Sequence, residues 1–273
     1  MRALSFAVAL SLSSSVFADN LRSDLRIDAP LAATAAAAWI GSELLKSHFA
    51  PARCRWCDRN ADGSDALNPL DAGVRGALRW NNVGAADTLS NVMAFGVAPI
   101  FSMGFEALVA AHDDALTNVP VDLILIAEAV ALAQDANQIT KFMVGRERPF
   151  VHALTPDARA NTAQPSDNNL SFYSGHATFT FALAAAAGTI AHLRGYRLWR
   201  WVLASGFVAA TATAYLRIGA DKHYFTDVTT GALLGSAFGF AVPMLAHGTN
   251  EPTALTRPLL VPNVGGATLA WLF

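Results

Sequence analysis

Long apolar stretches dominate this chain, and its polar residues collect where those stretches meet. Five segments read as apolar helices, at residues 31–45, 89–111, 119–139, 177–193 and 198–216, with 228–246 as a sixth candidate. The first, LAATAAAAWIGSELL, is short and Ala-rich; each of the others approaches the roughly 20 residues needed to cross a bilayer core. None is purely apolar: Asn91, Pro99 and Glu106 interrupt the second, and Asp122, Glu128 and Asp135 lie on the third. The pattern predicts an all-α fold, a helical bundle of about six long helices. Near the C-terminus, LLVPNVGGATLAWLF sets Gly265-Gly266 between two apolar arms, the pattern of a short β-hairpin.

Composition bears on the surroundings of such helices. The 273 residues are 53% hydrophobic and 15% charged, with a mean hydropathy of +0.33, too apolar for a disordered chain and high for an ordinary soluble domain. A polytopic membrane protein with its acidic residues turned into the bundle fits helix length and hydropathy together; a soluble domain with oily core helices is the alternative. A net charge of −2, a pI near 6.4 and no arginine-rich run argue against a nucleic-acid partner.

The N-terminus, MRALSFAVALSLSSSVFADN, has one Arg, a short apolar run and small residues placed for a cut after Ala18, as a secretory signal peptide does. The chain then divides into a signal peptide (1–18), an N-terminal helix with a CxxC-containing loop (19–88), a helical core (89–247) and a tail (248–273). The expected location is the cell envelope, in the membrane with the motif residues below on the extracytoplasmic side, or soluble in the periplasm. Loop charges pull both ways. RGYRLWR at 194–200 suits a cytoplasmic loop, but AHDDALTN at 111–118 belongs on the same side and carries no Lys or Arg. Parity adds that, after a cleaved leader, helix 31–45 does not cross once: it lies on the membrane, re-enters, or packs as a soluble helix.

Cys54 and Cys57 in ARCRWCDRN lack the second CxxC or His pair of a zinc site and the βαβ context of a redox motif; outside the cytoplasm they read as a structural disulfide staple. In DRNADGSDALNPLD, Asp58, Asn60, Asp62 and Gly63 match the first half of a calcium loop. Pro69 stands where the bidentate Glu belongs, so a polar Asx-turn loop is the stronger reading.

Three constellations carry chemistry. In RIGADKHYFTD, His223 and Asp227 are four apart, one helical turn, so the carboxylate is placed to hold one ring nitrogen as N–H and leave the other free to attack. Arg217 suits a phosphoryl group; a surface loop with chance polar residues is the plain alternative. In KFMVGRERPF, Lys141 and Arg148 are seven apart at the end of an apolar helix, costly unless they meet an anion or a water-filled cavity. Lipid head groups would serve the same pair, and Arg146 fits either role. In SFYSGHATF, Ser174 and Gly175 open a helix whose first N–H groups suit an anion, and His176 stands where a proton donor to a leaving oxygen is needed; a simple capping Ser-Gly is the alternative.

In this order, K-x6-R-P, S-G-H and R-x5-H-x3-D resemble the three-part signature of the type 2 phosphatidic acid phosphatase and vanadium haloperoxidase superfamily, with each part at a helix boundary. The resemblance covers residues from about 89 to 247. Two positions depart from the usual pattern: Tyr173 stands where Pro is usual, and Leu216 where Ser is usual. The resemblance implies an active site at one end of the bundle. His223 would attack phosphorus and become a phosphohistidine, Asp227 would orient it, and His176 would protonate the leaving oxygen and later activate water. Lys141, Arg148, Ser174, Gly175 and Arg217 would bind the phosphoryl oxygens, with no metal and no cofactor. It implies a phosphatase acting on phosphomonoesters or pyrophosphates, with a lipid phosphate or isoprenyl pyrophosphate as substrate and the membrane as partner. The alternatives are a soluble periplasmic non-specific acid phosphatase and a vanadate-dependent haloperoxidase.

Overall fold

The computed structural model describes residues 21–248, 259–263 and 266–270. The expected signal peptide and part of the tail lie outside the described residues. Helix α1 (Leu25–Leu44) starts at Leu25 because Asp24 accepts a hydrogen bond from the Arg26 N–H at 2.9 Å. Helix α2 (Pro69–Leu78) falls in the region read as a loop. Asn68 caps it by accepting from the Asp71 N–H at 2.9 Å, and Pro69 sits in the first turn, where its missing N–H is not needed. Helix α3 (Val83–His112) is capped by Asn82 and passes through two π-turns, Met93–Val97 and Ile100–Gly104, that flank Pro99.

Helix α4 (Val119–Val144) continues past the expected end, and Gly145, at φ 61°, stops it in the left-handed conformation. Helices α5 (Gly175–Leu193), α6 (Trp199–Gly219) and α7 (Phe225–Ala246) complete the bundle. Strands β1 (Leu259–Asn263) and β2 (Gly266–Ala270) pair antiparallel, with Asn263 opposite Gly266. The fold is all-α but for this ladder.

Helix α5 is the central post. Its alanines from Ala182 to Ala187 are buried against Leu125, Ile126 and Ala129 of α4 and Val202 and Ala209 of α6. Small residues give little apolar area each, so the core depends on close approach. Helix α7 supplies it with Gly231, Gly235 and Gly239 in one stripe: a Cβ at Gly235 or Gly239 would collide with the carbonyl of Thr178 or Ala182.

Four helices are long and apolar enough to cross a membrane: Val83–His112, Leu116–Val144, Trp199–Gly219 and Phe225–Ala246. Their outer faces carry Leu108, Ile139, Met143, Trp201, Val208 and Leu233, all exposed, an arrangement suited to lipid and unfavourable in water. These features are those of a membrane protein. Helix α1 runs parallel to α4, with Asp28 near Glu128 at one end and Glu43 accepting from Gln138 Nε2 at 2.9 Å at the other. It therefore lies along the later part of α4, from Glu128 onward.

The two loops whose charges disagreed lie together at the end remote from the motifs. Asp113 accepts from the Arg197 N–H at 2.7 Å, and Asp122 takes Arg194 through two hydrogen bonds of 2.9 and 2.7 Å. Arg194 is thus neutralised inside the bundle.

Candidate active site

At the other end, the chain breaks after α4, α6 and before α5 and α7 bring three cations to one cavity of about 140 Å³. Lys141 comes from the last turn of α4 and Arg217 from the last turn of α6, while Arg148 follows the Gly145 turn. Gly175, His176 and His223 line the same cavity. Each guanidinium is braced from behind. Arg148 donates from Nε to the Asp167 carbonyl at 2.8 Å, and from Nη1 to the Lys222 carbonyl at 3.0 Å. Arg217 Nη1 donates to Asp87 at 2.6 Å and Ser90 at 2.9 Å, leaving its buried Nε without a partner among the described residues. Burial alone would raise the Asp167 carboxyl, but Arg148 foremost, with Lys46 and Lys141, holds it below the usual range. Three cations facing one open space suit an anion there.

His223 has its two nitrogens in different surroundings. Nδ1 lies 2.8 Å from the Ser171 carbonyl, which can only accept, so Nδ1 carries the proton. Nε2 is then the free lone pair, and Arg148 Nη1 donates to it at 3.2 Å. Burial foremost, then the charges of Arg148, Arg217 and Lys141, push this imidazole well below its ordinary value, so it is neutral at pH 7 with its Nε2 lone pair unprotonated.

Asp227 is placed differently from the expectation of direct contact. It stands 3.8 Å from Nδ1 and accepts instead from Ser171 Oγ at 2.6 Å, the Tyr224 N–H at 2.9 Å and Arg146 Nη1 at 2.7 Å. The Ser171 carbonyl orients the ring; Asp227 fixes Ser171 and the start of α7 and supplies charge from just behind. His176 Nε2 donates to Asn91 Oδ1 at 2.7 Å, and its ring meets Phe95 edge-on. Gly175 lies against Lys141, where a Cβ would come within 2.8 Å of Nζ. Ser174 is fully buried and caps α5 through the Ala177 N–H at 3.4 Å; it does not line the cavity.

Sequence reading left Arg146 undecided, and the structure makes it the keystone beneath the site. It is fully buried, sandwiched between the rings of Trp56 and Tyr224 at 4.2 Å each, and bound to Asp58, Asp71 and Asp227 at 3.1, 2.8 and 2.7 Å. Asp58, the first residue of the calcium-like pattern, is therefore an arginine partner, while Asp62 forms an Asx-turn with the Ser64 N–H at 2.9 Å. Cys54 and Cys57 are joined. Their loop pairs with the segment after α4, through Arg55 N–H to the Gly145 carbonyl at 2.9 Å and Glu147 N–H to the Trp56 carbonyl at 3.0 Å, and so seats Trp56 on Arg146.

An aromatic wall of Trp39 from α1, Phe95 from α3 and Phe179 from α5 closes one side of the cavity, with ring centroids 5.7 and 5.5 Å apart. Phe95 is exposed on the outer face. A second lobe of about 390 Å³, lined by Asp87, Asn91, Gln164 and Lys222, shares Asp167, His176 and Arg217 with the first. The cavity thus has an apolar side and a polar side, joined at His176, Arg217 and Asp167.

The PAP2 superfamily pattern matches residues 122–250. The chain is similar to human phospholipid phosphatase 2, 28% identical over 129 residues, which are 39% of this chain and 44% of the relative. It is also similar to phospholipid phosphatase 1 of Mus musculus, 29% identical over 136 residues, 42% of this chain and 48% of the relative. Phospholipid phosphatase 1 of Rattus norvegicus is 30% identical over 131 residues, 40% and 46% of the two chains. The chain spans less than half the length of these curated relatives. No solved structure matches it.

Proposed function

We propose that this chain is a membrane phosphatase of the PAP2 superfamily, whose pattern it matches over residues 122–250, and that it removes phosphate from a lipid phosphomonoester or pyrophosphate through a phosphohistidine at His223. What carries this reading is the convergence of Lys141, Arg148, Arg217, His176 and His223 on one cavity that has an aromatic wall. The three cations hold the phosphoryl oxygens and take up their charge as it spreads in the transition state. His223 Nε2 attacks phosphorus in line, and the bond to the leaving oxygen breaks. His176, protonated on both nitrogens beside the bound dianion, gives that oxygen one proton, turning from Asn91 to do so. It then takes a proton from water; the resulting hydroxide attacks phosphorus, the P–N bond breaks, and the His223 lone pair is restored.

The lipid preference is supported by Trp39, Phe95 and Phe179, which offer acyl or isoprenyl chains an apolar approach from the side where Phe95 is exposed. Asp87 binds Arg217 at 2.6 Å and Asp167 faces Arg148 at 3.9 Å, while Asp167 and Glu43 themselves line the cavity beside the cations. The test is phosphate release from phosphatidate in detergent micelles, with acid-quenched trapping of labelled phosphoenzyme. Wild type should turn over and label, and His223→Ala should do neither. Retained turnover by His223→Ala would remove the nucleophile from this account. Faster turnover of a small soluble phosphomonoester than of phosphatidate would favour the non-specific acid phosphatase, and vanadate-dependent halide oxidation the haloperoxidase.

A further inference from the structure

Where α1 begins and α7 ends, level with the middle of α4, lies a second cluster of chemically active side chains. Asp28 from α1, Glu128 from α4 and His247, just past α7, each bring one ligand-capable atom to within 4.8 Å of the other two. Glu128 and His247 are 3% exposed. Glu128 Oε2 and His247 Nε2 face each other at 3.6 Å, and neither has a hydrogen-bond partner among the described residues. Two buried polar atoms left in this state are costly unless something joins them.

The surroundings prepare these atoms for a cation. His247 Nδ1 lies 2.9 Å from the Arg22 carbonyl, which can only accept, so Nδ1 carries the proton and Nε2 keeps its lone pair. This is the outer arrangement that orients a metal-binding imidazole. Asp28 is oriented through its other oxygen, Oδ2, which accepts from the Asp24 N–H at 2.8 Å. Arg22 ties the strand of chain before α1 to the end of α7, with Nε donating to the Gly248 carbonyl at 2.8 Å. Zinc bonds of about 2.0–2.2 Å to nitrogen and oxygen set tetrahedral ligands roughly 3.4 Å apart, close to the 3.6 Å separation of Glu128 and His247.

We propose that Asp28, Glu128 and His247 form a site for one divalent transition-metal ion that clips the start of α1 and the end of α7 to the middle of α4. One imidazole and two carboxylates suit Zn²⁺, with Co²⁺ as its spectroscopic substitute, over the all-oxygen preference of Mg²⁺ and Ca²⁺. The site lies apart from the catalytic cavity and takes no part in the phosphatase reaction.

The experiment uses the untagged full chain in detergent, treated with chelator and titrated with Zn²⁺ and with Co²⁺. The expected result is saturable uptake of one ion, Co²⁺ ligand-field bands of low-coordinate nitrogen and oxygen ligation, and a higher Tm with Zn²⁺. His247→Gln should weaken uptake more than about tenfold, since loss of a mere outer partner already costs about 10–100-fold; His112→Gln should leave it unchanged. Should the His247 variant fail to fold, zinc-edge absorption on the wild type decides, and one imidazole with two carboxylates is required. Absence of saturable uptake by the wild type, or equal uptake by folded His247→Gln, overturns the proposal and leaves a His–carboxylate ion pair.

Discussion

Replacing Asp227 by Asn tests the least expected feature of the site, a carboxylate that acts on the nucleophile without touching it. With the amide oxygen in the place of Oδ2, the Tyr224 N–H and Ser171 Oγ retain an acceptor and the Ser171 carbonyl still orients Nδ1, while the amide nitrogen meets Arg146 Nη1 and that hydrogen bond is lost. At the imidazole, what is lost is one negative charge 3.8 Å from a ring that the proposed phosphorylation makes cationic. At an effective dielectric of about 20, that separation corresponds to about 4 kcal/mol of attraction. Arg146, 2.7 Å from the other oxygen of Asp227, offsets part of it.

Because about 1.4 kcal/mol is a decade in rate, kcat should fall by roughly two to three decades. Direct contacts to the phosphoryl group are untouched, so KM should change by less than about threefold. Steady-state phosphate release from phosphatidate micelles gives both constants, and the acid-quenched burst shows whether phosphoenzyme formation has slowed. A folded Asp227→Asn protein with kcat within about threefold of wild type would refute the reasoning, and the Ser171 carbonyl alone would then account for His223.

Arg146→Met leaves Asp58, Asp71 and Asp227 facing one another without their shared cation; thermal or denaturant unfolding should show a loss of about 3–5 kcal/mol, and an unchanged midpoint would show that Arg146 is not the brace described. Gly175→Ala sets a methyl group 2.8 Å from Lys141 Nζ and should displace the ammonium, weakening inhibition by inorganic phosphate about 10-fold or more; unchanged inhibition would place Lys141 outside the anion site. Burial and the three cations lower His223 from its ordinary 6.5, so it binds a proton less readily folded than unfolded. Its share of stability is complete above pH 6.5 and is lost as pH falls toward the folded value, and kcat/KM should not drop at 6.5 on His223's account. A pH profile in which phosphoenzyme formation halves at 6.5 would contradict the neutral, buried imidazole.

The helices were legible because a membrane-sized bundle repeats its apolar signal over whole turns. Errors at the ends have local causes. Asn68 with Pro69 and Asn82 are start signals visible in the sequence, and they account for α2 and for the early start of α3. Lys141, Arg148, His176, Arg217 and His223 could be read out because each belongs to a short spacing at a helix boundary, and all five line the cavity. Asp87, Asn91 and Ser171 brace the site from positions with no spacing to mark them, and Arg146 carries three aspartates that lie 75 to 88 residues away.

The sequence by itself determined the helices, their order and the charged and imidazole groups at their ends, since these follow from residue periodicity and from motifs a few residues long. Only the tertiary structure decided which carbonyl orients His223, that Asp227 works from behind Ser171, and that the disulfide loop seats an aromatic ring on Arg146. It also placed Asp28, Glu128 and His247 side by side. Such relations depend on the crossing of helices distant in the chain, where hydrogen bonds form only if donor and acceptor are placed to within a few tenths of an ångström, which no local pattern encodes.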